Sequence, residues 1–170
     1  MLATAQPDQP SAAARFVAPH SAAETDALLA AASEHARREN LPYAGILSPD
    51  DAWALALNGA AIIVDVRTAE EYKYVGHVPN SPLVQWQSGP ALAKNPRFAK
   101  ELAAKAGKND VILLLCRSGK RSAAAAEAAT RAGFTRVFNI REGFEGEITA
   151  DGQRGSSGGW RLKGLPWIQD

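Results

Sequence analysis

The sequence predicts an α/β fold with three layers (α/β/α), in which helices cover both faces of a central, mostly parallel sheet of five strands. Three observations support this prediction. Strand-like and helix-like segments alternate through most of the 170 residues, which is typical of parallel sheets with crossover helices. Residues 111–115 form an unbroken apolar run, as expected for a strand buried on both faces. The alanine-rich residues 122–129 follow closely, and alanine is the strongest helix former.

The N-terminal part of the chain precedes the predicted sheet. Residues 1–20 are rich in alanine, proline and glutamine and show no hydrophobic period, so we expect a mobile segment. Residues 21–42 are predicted to hold an additional helix, with a capping-box pattern formed by Ser21 and Glu24 at its start. This helix is expected to pack on the domain; a dimer contact is the alternative.

The predicted domain comprises residues 43–148. Its strands are placed at 43–47, 61–66, 83–86, 111–115 and 136–140. Ser48 and Thr68 are followed three positions later by acidic residues and are predicted to cap helices, and Asn95 is expected to open another.

Residues 149–170 are predicted to form a glycine- and serine-rich excursion followed by a tail that docks back on the domain. Docking is expected because exposed tryptophans are unfavourable in water, and the tail carries Trp160 and Trp167. A sharper hypothesis places one of three side chains in the wall beside the single cysteine: Arg154, Trp160 or Trp86.

The single cysteine, Cys116, lies where the apolar run at 111–115 meets the alanine-rich helix. Ligands bind parallel sheets beyond the carboxyl ends of the strands, which is where this thiol is expected. A helix N-terminus and cationic neighbours favour the thiolate form of cysteine, and three cations follow within five positions: Arg117, Lys120 and Arg121. Gly119 permits the curvature that would let the N–H groups of 117–122 converge near sulfur. The pattern predicts a reactive thiolate open to solvent; a buried structural cysteine is the alternative.

The loop at 116–122, Cys-Arg-Ser-Gly-Lys-Arg-Ser, resembles the active-site loop of the rhodanese (sulfurtransferase) family, particularly its single-domain bacterial members. Other segments similar to family motifs are Asp65-Val66-Arg67 followed by Glu71, Gly76-His77-Val78-Pro79, and Glu142-Gly143-Phe144. The resemblance covers residues 47–147. It implies a thiosulfate sulfurtransferase-like enzyme: Cys116 would take sulfane sulfur from a donor, become a persulfide, and pass the outer sulfur to cyanide, a cellular thiol or a protein.

The resemblance and the charges together suggest roles for individual residues. Cys116 is expected to be the nucleophile, and the anionic donor is expected to be bound by Arg117, Ser118, Gly119, Lys120, Arg121 and Ser122. Arg121 either shares donor binding or braces the loop. A carboxylate close to the thiolate would oppose its formation, so a supporting charge network is expected of Asp65, Arg67 and Glu71. His77 is expected to be structural rather than a general base.

Two other functions are compatible with this architecture. Phosphatases place arginine six positions after the cysteine, and a phosphoryl group needs a wider cup; Arg121 is five positions after Cys116. A phosphatase or arsenate reductase is therefore disfavoured. Binding modules of the family often lack the cysteine, so the presence of Cys116 also disfavours a non-catalytic module.

Composition limits the partners and the compartment. A net charge of +1 gives no general attraction to nucleic acid or anionic membranes. No apolar run approaches the roughly 20 residues of a membrane span, and the first residues lack the pattern of a secretory signal. One cysteine excludes an internal disulfide and a multi-cysteine zinc site. We therefore expect a cytoplasmic protein without metal or organic cofactor, whose partners are a small anionic sulfur donor and a thiol or protein acceptor.

Overall fold

The computed structural model describes residues 17–169. Most of the segment predicted to be mobile, residues 1–16, lies outside the described residues. Five helices occur in the described part: α1 (Ala22–Arg38), α2 (Pro49–Leu57), α3 (Ala69–Val75), α4 (Phe98–Ala103) and α5 (Lys120–Arg131). The strands there are β1 (Gly45–Leu47), β2 (Ile62–Asp65), β3 (Gln87–Ser88), β4 (Ala93–Lys94), β5 (Ile112–Leu115) and β6 (Val137–Ile140).

The central sheet is parallel and has four strands, in the order β1-β6-β5-β2. Strand β5 is central and all four of its residues are buried, as its continuous apolar sequence predicts. The α/β class and the parallel arrangement are confirmed. The expected number of five strands is wrong.

The predicted fifth strand, at 83–86, runs beside the end of β2 without forming a ladder. It makes a single bridge, between Asp65 and Leu83, and the amide of Val84 donates to the carbonyl of Asp65 at 2.8 Å. Extending this pairing back along β2 would require an N–H donor at Pro82, and proline has none. The sequence analysis also did not predict the short antiparallel pair of β3 and β4.

Helices and the tail cover both faces of the sheet, which confirms the three layers. One face packs against α1, α2 and the tail, through side chains that include Leu29, Leu55, Leu113, Phe138 and Trp160. The other face packs against α4 and α5, through side chains that include Leu102, Leu114, Ala125, Ala129 and Val137. Helix α1 approaches β1 so closely that a Cβ on Gly45 would lie 2.8 Å from the carbonyl oxygen of Ala32. The additional helix therefore belongs to the packed domain.

Three helices, α1, α2 and α3, begin where the sequence signals predict, whereas α4, which was expected to open at Asn95, begins at Phe98 with Arg97 as its uncapped N-cap residue. Ser21 and Thr68 form complete capping boxes with Glu24 and Glu71, respectively. The side chain of Ser48 accepts a hydrogen bond from the amide of Asp51 at the start of α2. None of the helices between residues 17 and 169 combines the length and apolarity needed to cross a membrane.

The C-terminal tail docks on the domain, as its tryptophans predict. Trp160 has no exposed surface, and its ring meets that of Trp53 edge to face with 5.8 Å between centroids. Further along, His77 and Ile168 exchange backbone hydrogen bonds of 2.8 and 2.9 Å, and the His77 ring stacks on Tyr72. Trp160 packs on the face of the sheet opposite to the cluster that contains Cys116. The hypothesis that Trp160 forms a wall beside Cys116 is therefore wrong.

Candidate active site

Cys116 directly follows the central strand and lies at its carboxyl end. The chain turns at Gly119, which caps α5 with a φ of 94°, a backbone conformation that glycine adopts without strain. Helix α5 then starts at Lys120. The sulfur is therefore three residues from a helix N-terminus, where backbone N–H groups lack partners within the helix.

Two donors contact the sulfur. The amide of Gly119 donates to Sγ of Cys116 at 3.1 Å, and the hydroxyl of Ser122 lies 3.2 Å from the same atom. Both donors favour a negatively charged sulfur over a neutral one, because hydrogen bonds to a charged acceptor are stronger. Of the N–H groups of 117–122 that were expected to converge near sulfur, the Gly119 amide is the one at contact distance, and the Ser122 hydroxyl adds a second donor.

The sulfur is not open to solvent in this conformation. Cys116 is 1% exposed and packs in the apolar cluster with Val66 and Trp86. The expectation of a solvent-open sulfur is wrong, because the side chain lies in an apolar cluster that also holds Ala125 and Ala126 of α5. Of the three proposed wall residues, Trp86 is the one that shares this cluster.

Arg121 is braced by an acidic residue of α3. Its guanidinium forms two hydrogen bonds with the carboxylate of Glu71, at 2.6 and 2.7 Å. Burial raises the pKa of Glu71, but hydrogen bonds from Arg121 and Thr68 and the charges of Arg121 and Arg67 outweigh burial, so its pKa lies below the usual range. The hydrogen bond to Glu71 raises the pKa of Arg121 against the effect of burial, with smaller contributions from the charges of Glu71, Cys116 and Asp65. This geometry supports the bracing role of Arg121.

The other two loop cations differ in their surroundings. The ammonium of Lys120 lies 3.2 Å from the carboxylate of Glu147, and its side chain is 78% exposed. Arg117 is exposed and forms no ion pair with any described residue. Arg117 is therefore the loop cation available to an incoming anion.

Asp65 and Arg67 form a buried pair rather than a network with Glu71. Neither side chain has exposed surface, and Nη2 of Arg67 lies 2.7 Å from Oδ2 of Asp65. Arg67 also donates to the carbonyl of Gly76 at 2.7 Å and lies over the ring of Phe144, 4.3 Å from its centroid. The expected single network is thus two hydrogen-bonded pairs, Asp65–Arg67 and Glu71–Arg121, which act on each other through their charges alone.

A turn after β6 supports the cysteine loop from behind. The amides of Phe144 and Glu145 donate to the carbonyls of Cys116 and Arg117 at 2.8 and 2.9 Å. Gly143 has a φ of 63°, and a Cβ there would lie 2.5 Å from the carbonyl oxygen of Cys116. The tail in turn supports this turn, since the amide of Trp160 donates to the carbonyl of Gly143 at 2.8 Å.

The sequence analysis missed Asn139. This residue lies on β6, is 5% exposed, and has its side-chain oxygen 2.6 Å from the hydroxyl of Ser122. Its side-chain nitrogen donates to the carbonyl of Gly119 at 3.1 Å. An amide within the otherwise apolar strand Val137–Ile140 was the signal that could have found it, because a buried polar group requires partners.

A pocket of about 430 Å³ lies next to the loop. It is bounded by α3, the segment between β3 and β4, and the loop, with Thr68, Glu70, Glu71, Gly89, Pro90, Leu92, Arg117 and Arg121 as lining residues. Leu92 is 44% exposed and gives the pocket an apolar lip. The pocket therefore combines apolar surface with Arg117, a cation that has no ion pair within residues 17–169.

The chain belongs to the rhodanese family, since the family described as "Rhodanese-like domain" matches residues 48–147, more than half of the chain. The uncharacterized protein RP600 of Rickettsia prowazekii is 37% identical over 117 residues, which cover 66% of this chain and 87% of that protein. Thiosulfate sulfurtransferase 16, chloroplastic, of Arabidopsis thaliana is 32% identical over 105 residues, which cover 61% of this chain and 76% of that protein.

The solved structures agree with the family assignment. The crystal structure of Rv0390 from M. tuberculosis superimposes with a TM-score of 0.67 at 40% identity, covering 75% of this chain and 99% of that chain. The family and fold that the motifs predict are confirmed.

Proposed function

We propose that this protein is a sulfurtransferase that carries sulfane sulfur as a persulfide on Cys116, with thiosulfate as the favoured donor. One observation carries the proposal: the sulfur of a lone cysteine accepts from the Gly119 amide and contacts the Ser122 hydroxyl at the N-terminus of α5. The family supports sulfurtransferase chemistry, and one relative is named a thiosulfate sulfurtransferase.

The proposed reaction has two transfers through a covalent intermediate. The Cys116 thiolate attacks the outer sulfur of thiosulfate, the sulfur–sulfur bond of the donor breaks, and sulfite leaves with the bonding electron pair. An acceptor, such as cyanide or a thiolate, then attacks the outer sulfur of the persulfide and releases the Cys116 thiolate. Total charge is conserved in each transfer, and no redox partner is needed.

The pocket beside the loop is the proposed entry for both substrates. Arg117 supplies the charge that attracts a dianionic donor. The volume of about 430 Å³ lies in the range of small-molecule sites, which suits an organic thiol or the cysteine of a partner protein better than cyanide.

Burial of Cys116 means that substrates reach the sulfur only after local movement. The segment between β3 and β4, which includes Leu92, lines the pocket and is exposed there. We propose that displacement of this segment opens the sulfur. We also propose that the protein works in the cytoplasm, a reducing compartment in which an unpaired thiol persists. The proposed partners include neither nucleic acid nor a membrane.

The decisive experiment is mass spectrometry of the folded protein after treatment with thiosulfate. We expect a gain of one sulfur atom on Cys116, its loss on addition of cyanide with formation of thiocyanate, and neither event in Cys116→Ser. A wild-type protein that stays unmodified while folded would exclude the proposal. Turnover of an aryl phosphate without sulfur loading would favour a phosphatase instead.

One specific observation favours a competing function. A cysteine that is 1% exposed is compatible with a non-catalytic rhodanese-like binding module, because such a module needs no accessible thiol. Labelling of the Cys116 thiol with a small reagent separates the two functions. A sulfurtransferase should react in the folded state with a small methylthiolating thiosulfonate, which forms a methyl disulfide on Cys116 and releases sulfinate, and a module with a permanently closed sulfur should not.

A further inference from the structure

The hydroxyl of Ser122 has two acceptors and only one proton. It lies 2.6 Å from Oδ1 of Asn139 and 3.2 Å from Sγ of Cys116. A hydroxyl donates one hydrogen bond and can accept others. At any moment, Ser122 therefore donates to the amide oxygen or to the sulfur, but not to both.

The orientation of the Asn139 amide is fixed by its other contact. The carbonyl of Gly119 can only accept, so the side-chain nitrogen of Asn139 must face it, at 3.1 Å. The amide oxygen is consequently directed to Ser122, and both Ser122 and Asn139 are buried. The Ser122 hydroxyl therefore has a hydrogen-bond acceptor within the protein and needs no water molecule.

We propose that Asn139 is a positioning residue for Cys116, because it competes with the sulfur for the single proton of the Ser122 hydroxyl. When the sulfur is a neutral thiol, its S–H donates to the Ser122 oxygen and the hydroxyl donates to Asn139. When the sulfur is a thiolate, the hydroxyl turns to the sulfur, because the charged acceptor forms the stronger bond. Asn139 thus stabilises the neutral form of Sγ relative to the thiolate.

The competition extends to sulfur transfer, and this step rests on the proposed function. In a persulfide the negative charge lies on the outer sulfur, so Sγ becomes a weak acceptor. The Ser122 hydroxyl then donates to Asn139 again. It therefore has a hydrogen-bond acceptor both when Cys116 is a thiolate and when it carries a persulfide. Asn139 therefore favours the persulfide over the free thiolate.

Other charges surround the sulfur and must stay constant in a test. They are Arg117, Lys120 and Arg121 of the loop and first turn of α5, Glu71 of α3 paired with Arg121, and the Asp65–Arg67 pair at the end of β2. None is changed by substitution at 122 or 139. A double-mutant cycle at these two positions isolates their coupling.

The test measures the midpoint of Cys116 ionisation from the ultraviolet absorbance of the thiolate, with Cys116→Ser as the blank. Ser122→Ala should raise the midpoint by about one pH unit, since a hydrogen bond to the thiolate is lost. Asn139→Leu should lower it by a similar amount, because the competing acceptor is gone. In the Ser122→Ala background, Asn139→Leu should cause no further shift of the midpoint. The single variant Ser122→Thr, which keeps a hydroxyl at this position, should have the midpoint of the wild-type protein.

The outcomes discriminate between competition and general support of the loop. An equal shift from Asn139→Leu with and without the Ser122 hydroxyl would overturn the proposal, as would an upward shift from Asn139→Leu alone. Should Asn139→Leu not fold, Asn139→Val replaces it: valine suits a strand, also removes the competing acceptor and should lower the midpoint, again only when Ser122 is present. These measurements require no sulfur donor, so a wild-type protein that takes no sulfur would refute the proposed function alone.

Discussion

Arg117 is the residue whose charge the site leaves uncompensated. Arg121 is held by Glu71 and Lys120 lies beside Glu147, whereas Arg117 lines the pocket without an ion pair among the described residues. Arg117→Ala should therefore raise the Michaelis constant for thiosulfate by about 10- to 100-fold, the loss of one charged hydrogen bond, with a smaller change in turnover. Steady-state kinetics at constant ionic strength measures this.

Lys120→Ala is the matched control for that variant, because it removes the same charge from the neighbouring turn. We expect a change of less than about threefold, since Lys120 lies beside Glu147 and is outside the pocket lining, so its charge is partly offset and screened. Equal effects of the two substitutions would assign donor attraction to the total charge of the loop and not to Arg117.

At the scale of single residues, the sequence predicted the position of Cys116 in the fold better than its surroundings. Cys116 and the cations of its loop follow from local order along the chain. The pairing of Arg121 with Glu71 joins positions 50 residues apart, and the contact of Ser122 with Asn139 joins positions 17 apart. Such partners depend on how α3, α5 and β6 pack, which local sequence does not encode. For the same reason, the burial of Cys116 could not be predicted.

The pair of Glu71 and Arg121 joins helix α3 to helix α5, and it makes stability depend on pH. The pKa of Glu71 is lower in the folded protein than its ordinary value of 4.5. Its contribution is therefore complete above that value and is lost as the pH falls through the lower folded value. Glu71→Gln should lower the free energy of unfolding by about 2 kcal/mol at neutral pH, and the difference from wild type should shrink in acid.

Urea unfolding at a series of pH values measures this difference. Glu34→Gln is the control, because Glu34 is an exposed acid of α1 that pairs with Arg37 on its own helix. A difference for Glu71→Gln that is constant from neutral to acidic pH would contradict the role of its ionised form.

The turn that follows β6 is predicted to tolerate no side chain at Gly143. Gly143→Ala would place a Cβ 2.5 Å from the carbonyl of Cys116 and would strain a φ of 63°. Gly152→Ala is the control for strain alone, since Gly152 has a φ of 76° and open space around it. We expect Gly143→Ala to lose most sulfur loading and Gly152→Ala to retain it, as measured by mass spectrometry. Comparable loading in the two variants would show that contact between turn and loop is dispensable.

Most elements were predictable because their signals are local. Capping residues mark the starts of α1, α2 and α3, and the apolar runs mark β2, β5 and β6. The prediction of a fifth strand at 83–86 failed although the segment is extended and apolar. To continue its pairing along β2, the residue before it would have to donate a backbone N–H, and Pro82 has none. The antiparallel pair of β3 and β4 is two residues long on each side, too short to show an alternating pattern.

At the scale of the whole molecule, the tail contributes to the hydrophobic core. Trp160 is fully buried against Trp53, so Trp160→Ala should cost about 3–5 kcal/mol of unfolding free energy. Trp167, which is 37% exposed, provides the control: Trp167→Ala should cost clearly less. Chemical denaturation monitored by circular dichroism compares them. Equal losses would show that the tail stabilises the domain through its backbone contacts instead.

The succession of contacts from tail to turn to loop implies an order in which the surroundings of Cys116 are completed during biosynthesis. Cys116 and α5 leave the ribosome well before Gly143, and Gly143 leaves before Trp160, which bonds to it. Domains fold as units once their residues have emerged, so a nascent chain that ends within the glycine-rich excursion would hold its thiol in an unfinished setting. The packed surroundings of Cys116 would then be among the last features that each newly made molecule acquires.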